Sequence, residues 1–142
     1  MNILVFKERN RCDLQKIYLE SRKQVFSWQN STLFTLNDFD RDTEGEAIWV
    51  ATDNNRPIGF ISVWKPDNFI HNLFIHPDFV GRGAGTKLLQ VCLKEIGLPA
   101  TLKCSKPNVK AKEFYLSKGW LVISEGEDID GKYELMGIDK EI

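Results

Sequence analysis

The sequence predicts an α/β (α+β) domain, and three observations carry that reading. A strongly apolar run, Phe69–Ile75, leads through a glycine-rich stretch into a segment where Leu88, Leu89, Cys92, Leu93 and Ile96 repeat at helical spacing. That order reads as strand, turn, helix. Two runs rich in β-branched and aromatic residues, 47–52 and 58–64, flank the polar turn 53–56, which reads as a hairpin. Segments with helical and strand periods then alternate along the chain, with neither low-complexity stretches nor internal repeats.

Residues 2–7 read as a short strand. Residues 10–27 follow as a helix, with Leu14, Ile17, Tyr18, Ser21 and Val25 on one face. Residues 35–41 read as a second short helix that Thr35 or Asn37 would cap. After the hairpin, Phe69–Ile75 is the central strand, and the helix beyond the glycine stretch runs to about residue 96. Residues 101–104 form the next strand. Asn108 can cap a further helix on which Ala111, Phe114 and Tyr115 share a face, and Gly119 stops it. Two closing strands, 121–124 and 132–137, complete the order. The turn between them, 128–131, is the candidate edge for a homodimer.

The chain has 142 residues, 42% of them hydrophobic and 11% aromatic, enough for one domain (1–142) with a core of its own. A formal net charge of −1 leaves no basic excess for nucleic acid. Cys12, Cys92 and Cys104 are odd in number and lack metal-ligand spacing, so no metal is expected. Cys92 falls on the apolar face of its helix, as a core residue does. The sequence has neither a leader-like segment nor an apolar run long enough to span a membrane, and free cysteines suit a reducing compartment. The expected location is cytoplasmic.

The chemistry concentrates at 76–86. A glycine turn opening a helix presents free backbone N–H groups and the positive end of the helix dipole, a ready site for phosphate. Gly81, Gly83 and Gly85 let an anion approach the main chain closely, and Arg82 adds a fixed charge. Two phosphate motifs fail on spacing. The Walker loop requires Gly-Lys-Ser/Thr, whereas this chain has Gly85-Thr86-Lys87. The dinucleotide fingerprint requires G-x-G-x-x-G, whereas the spacing here is G-x-G-x-G.

Val80-Gly81-Arg82-Gly83-Ala84-Gly85 resembles the pyrophosphate loop of the GCN5-related N-acetyltransferases, written Gln/Arg-x-x-Gly-x-Gly/Ala. It departs from that pattern at Val80. Asn108 to Trp120 resembles the same family's later motif, N-x-x-A-x-x-F-Y-x-x-x-G-F/W, in the family's order and at about its distance. The resemblance implies the family's acyltransferase fold, a mixed and mostly antiparallel central sheet flanked by helices. It also implies acetyl-CoA as donor and a primary amine as acceptor, attacking directly in a ternary complex. The alternative of the same fold is a non-catalytic coenzyme A-binding module, toward which Val80 leans.

Such a reaction requires an acid for the departing thiolate, a base for the amine and a donor to the thioester oxygen. Tyr115 matches the family's acid. His71 interrupts the apolar central strand where a relative of the same fold carries a catalytic histidine, and its unperturbed pKa near 6.5 suits a base. Leu73, Phe74 and Ile75 match the strand segment that pairs with the pantetheine arm. Asn108 matches a contact on the pantetheine side, and Thr86 stands where a hydroxyl reaches phosphate. Cys104 marks a competing route through an acetylated thiol. The acceptor wall would come from Phe26, Trp28, Phe34, Asp38, Phe39, Asp40 and Asp42, with Trp64 and Phe69 flanking the cleft. Aromatic faces beside carboxylates suit a cationic acceptor.

Overall fold

The computed structural model describes residues 1–26 and 29–139. Strand β1 (Asn2–Val5) leads to helix α1 (Arg11–Val25) and the short helix α2 (Asp38–Asp42). Strands β2 (Ala47–Asp53), β3 (Arg56–Trp64) and β4 (Phe69–Ile75) follow, then α3 (Ala84–Ile96), β5 (Ala100–Ser105), α4 (Val109–Ser117), β6 (Leu121–Asp128) and β7 (Gly131–Ile138). The strands form one 7-stranded sheet in the order β1-β2-β3-β4-β5-β7-β6. Every neighbouring pair is antiparallel except β4 and β5, which run parallel. The predicted mixed, mostly antiparallel sheet is what forms. The parallel pair requires a crossover, and α3 supplies it.

Period-two alternation along the strands divides the core between the two faces. Phe60 joins Leu14, Ile17, Tyr18, Phe39 and Val50 under α1 and α2. Its neighbour Ile61 joins Val63, Ile70, Leu88, Leu89, Cys92 and Trp120 under α3 and α4. The apolar stripe read on α3 is therefore the buried one. On α1 the expected face needs one correction. Val25 is exposed and Arg22 is buried in its place. Arg22 Nε donates to the Tyr18 carbonyl, and the guanidinium lies 3.8 Å from the Tyr18 ring centroid and 4.5 Å from that of Phe34. The predicted last residue of this helix, Ser27, lies outside the described residues.

Helix α2 starts at Asp38, later than the expected residue 35. The Asp38 carboxylate accepts from the Thr35 N–H and hydroxyl, holding Thr35 outside the helix, and neither Thr35 nor Asn37 caps it with a side-chain oxygen. Strands β6 and β7 extend past their expected ends to a tight turn where the Asp130 N–H donates to Asp128 Oδ1. β6 is an edge strand carrying Glu125 and Glu127, so its apolar pattern stops before its pairing does. No helix among the described residues is long and apolar enough to cross a membrane.

Candidate active site

Two irregularities of β4 open the sheet. The strand pairs with β5 only at Phe69↔Thr101 and Ile70↔Leu102, and beyond Ile70 the two part. On its other side the register with β3 slips between Ser62↔Asn72 and Val63↔Ile70, leaving His71 as the extra residue of a bulge. A bulge bends its strand and re-aims the extra side chain.

Beyond the bulge, the His76 N–H donates to the Ile58 carbonyl in β3. Alternation of an antiparallel ladder then turns the Phe74 amide toward β3 and the amides of Leu73 and Ile75 toward the gap left by β5. Of the three strand residues singled out in the sequence, Leu73 and Ile75 have free amides. Phe74 contributes its ring instead, edge-on to Tyr18 at 5.2 Å.

Two clefts meet along this seam. The smaller, about 410 Å³, runs past Leu73 and Ile75 to Val80, Gly81, Gly83, Ala84, Gly85 and Thr86. The larger, about 1040 Å³, holds His71, Asn72, Phe74, Cys104 and Asn108. Leu73, Ile75, Val80, Ala111, Phe114 and Tyr115 line both.

The glycine loop builds the outer end of the smaller cleft. Gly81 and Gly83 sit at φ +79° and +85°, in the left-handed region, and a Cβ at either would meet nothing within 4 Å. Conformation, not crowding, therefore requires glycine there. The N–H groups of residues 81–86 donate to no backbone carbonyl among the described residues, and the first helical bond is Lys87 N–H to Gly83 C=O at 3.1 Å. Those of residues 84–86 are the unpaired first-turn amides of α3, where the dipole adds positive potential. Arg82 lines neither cleft, because its guanidinium rests 5.1 Å from the Phe79 ring centroid. Val80 is exposed beside the cleft mouth.

Tyr115 sits on the seam. It packs edge-on against Phe114 at 5.3 Å and Trp120 at 5.8 Å, and the Trp120 and Lys118 amides close the end of α4 on its carbonyl. Gly119 follows with φ +92°. Burial, with a smaller contribution from Cys104, pushes the phenol well above its ordinary value near 10, so its proton is held at neutral pH. At the other end of the helix, Asn108 Oδ1 accepts from the Ala111 N–H at 3.3 Å, the expected cap, while the residue lines the larger cleft.

His71 is 43% exposed, and its Nδ1 lies 2.8 Å from Glu46 Oε2. The hydrogen bond with Glu46 raises its pKa. Burial opposes this, and the negative charges of Glu46 and Asp42 add to the rise. Glu46 has no motif around it, and only its place just before β2 hinted at a role. Cys104 is buried on β5, and burial, then the Glu134 charge, pushes its thiol up to about 11. A neutral thiol is a poor relay nucleophile.

The acceptor side differs from expectation. Phe26, Phe34, Asp38, Asp42 and Phe69 line the larger cleft, but Phe39 is core and Asp40 pairs with Arg11 and Gln15 away from it. Trp64 lines neither cleft, and Trp28 lies outside the described residues. Asp38 is held by Thr35, Arg22 and Arg41, and Asp42 by Tyr18 and Arg41. These carboxylates already have cationic or hydroxyl partners. The β6–β7 turn overhangs the same cleft through Asp128 and Asp130. Among the described residues no group of three or more His, Cys, Asp or Glu is placed to hold a metal ion.

The sequence model of the acetyltransferase (GNAT) family matches residues 11–120. Among curated proteins, the chain is 32% identical over 94 residues to the peptidyl-lysine N-acetyltransferase YjaB of Salmonella typhimurium, a match covering 64% of this chain. The match spans only 63% of that relative's length. The solution structure of apo-form YjaB from Escherichia coli has a TM-score of 0.80 at 22% identity, covering 96% of this chain and 95% of that one. The structure of yncA from Salmonella typhimurium with its cofactor acetyl-CoA has a TM-score of 0.76 at 15% identity, covering 97% of this chain and 92% of that one. At such identities the structural likeness is one of fold.

Proposed function

The chain belongs to the GNAT acetyltransferase family, and on that premise we propose that it acts as one domain moving an acetyl group from acetyl-CoA to a primary amine by direct attack. One observation carries the reading. A cleft that begins at the free amides of Gly81 and residues 83–86 ends at the free amides of Leu73 and Ile75, where it meets a second cleft holding His71.

The diphosphate of the donor binds the loop amides and the α3 N-terminus, and the pantetheine arm lies along β4 in the gap left by β5. Asn108 flanks that arm, and Thr86 offers its hydroxyl to phosphate. An amide of Leu73 or Ile75 donates to the thioester oxygen as negative charge develops there. In the neighbouring cleft His71 accepts a proton from the acceptor ammonium, leaving a lone pair to attack the carbonyl carbon. Tyr115 gives its proton to the sulfur as the carbon–sulfur bond breaks. Its raised pKa keeps that proton available across the neutral range.

A lysine side chain on a peptide is the first acceptor to try, because the Salmonella relative is named for it. Val80 favours a second reading, a coenzyme A-binding module without catalysis, since an exposed valine adds no donor to the loop. Calorimetric titration with acetyl-CoA, against dephospho-coenzyme A and adenosine monophosphate, tests the site. Micromolar binding is expected, followed by coenzyme release when a lysine peptide is added. Binding without release from any of a panel of amines would favour the second reading. No binding at millimolar donor would remove both.

A further inference from the structure

Glu46 stands behind His71. Its side chain is 7% exposed and lines neither cleft, whereas the histidine it touches opens into the larger one. Its Oε2 is 2.8 Å from His71 Nδ1, and its Oε1 is buried without a hydrogen-bond partner among the described residues. A buried carboxylate is unfavourable unless something pairs with it, and the imidazole is its side chain's one partner among the described residues. The fold of the turn does not call for this side chain. The turn is closed by the Glu46 N–H, which donates to the Thr43 carbonyl.

We propose that Glu46 is the positioning residue for the His71 base, the two forming a carboxylate–imidazole dyad whose Nε2 receives the acceptor's proton. The proposal rests on the reading of His71 as that base. A carboxylate only accepts hydrogen bonds, so the Nδ1 of a neutral His71 must carry the ring proton and Nε2 must be the free acceptor. In the step, an N–H bond of the ammonium breaks, its electron pair stays on nitrogen, and the proton bonds to Nε2. The Nδ1–H bond stays intact and donates to Oε2. The imidazolium then stands against a buried negative charge until Nε2 releases the proton to water.

The charges that bear on His71 come from both neighbouring elements. Glu46 before β2, and Asp42 on α2 through both its charge and its main-chain carbonyl, raise its pKa. Phe69 on its own strand brings only a ring, at 6.3 Å. Across the cleft, Lys103 of β5 is paired with Asp128 at 3.6 Å and sits 4.5 Å from the Tyr133 ring centroid. A base with a raised pKa is active above that value, so the rate should climb as pH rises through it. Removing the Glu46 charge should move the climb to lower pH.

Side-chain NMR of His71 tests this without any substrate, and turnover of acetyl-CoA with a lysine peptide tests it in the reaction. In wild type the neutral ring should carry its proton on Nδ1, and finding it on Nε2 would overturn the dyad even if no variant folds. Glu46→Gln should lower the His71 midpoint by NMR and move the pH–rate midpoint down by the same interval. Its plateau rate should fall about tenfold, by analogy with the loss when the hydrogen-bond partner of a metal-bound histidine is removed. Glu46→Asp should restore part of each. If Glu46→Gln leaves both midpoints in place while His71→Ala still abolishes turnover, the dyad is overturned and the base survives. Wild-type turnover by His71→Ala would remove the base, and the proposal with it.

Discussion

The two ends of the site are built on opposite principles. On the proposed reading, the donor is recognised at the glycine loop by the main-chain amides of Gly81 and residues 83–86, set by two left-handed glycines, while the one arginine in the loop rests on a phenylalanine instead of facing the cleft. At the acceptor end the groups are side chains, and most already have partners: Asp38, Asp42, Arg22 and Arg41 hold one another, and His71 holds Glu46. Backbone recognition tolerates sequence change wherever conformation is kept, so on that reading Val80 in place of a polar residue should leave the loop able to bind. Side-chain recognition fails with a single substitution. Between the ends stands Tyr115, fixed by packing and facing both clefts.

The widest separation should come from Tyr115→Phe. The variant keeps the ring contacts with Phe114 and Trp120 and loses only the hydroxyl. Turnover should fall by ~10²-fold or more, the range of a positioned acid, with acetyl-CoA affinity within about twofold of wild type. Steady-state rates beside calorimetric titration read both. Wild-type turnover would unseat Tyr115 as the acid, and lost affinity would mean the phenol serves the loop end.

These two ends also explain what could be read from the chain. The loop, the Asn108 cap and the Tyr115 face were legible because each is a local pattern: glycine where φ is positive, a capping oxygen at the helix start, and i, i+3, i+4 spacing. The core stripe of α3 was legible for the same reason. Glu46 was not, because its partner lies 25 positions away and meets it only after β2 and β4 have both paired with β3. The burial of Arg22 depends on the Phe34 ring and the Asp38 carboxylate, which lie outside its helix and which no period predicts. The His71 bulge is a property of the β3–β4 register, and β6 outran its apolar pattern because edge strands keep charges.

Glycine replacements inside the loop should sharpen the contrast, beginning with Gly83→Ala. At φ +85° an L-residue is strained by about 1–2 kcal/mol, so the alanine either bears that strain or swings the loop amides away. Affinity for acetyl-CoA should fall about tenfold if ~1.4 kcal/mol of that strain is felt on binding. Turnover at saturating donor should stay near wild type, because neither Tyr115 nor His71 moves. A loss confined to turnover at unchanged affinity would contradict recognition by loop amides.

Gly85→Ala should do the least, and it tests the same idea from the other side. Gly85 lies inside α3 without a positive φ, and a Cβ there would stand 3.6 Å from Phe114 Cζ, an ordinary contact. Alanine in a helix is favoured over glycine by roughly 0.8–1.0 kcal/mol in an interior position, and by less in a first turn. The melting temperature should therefore hold or rise slightly. Affinity should stay within about twofold, because the Gly85 N–H is unchanged and a single methyl adds little to the dipole. A drop of tenfold or more would mean that the ligand occupies the space above the Gly85 Cα. Close approach to that carbon, in addition to its amide, would then be part of what the loop recognises.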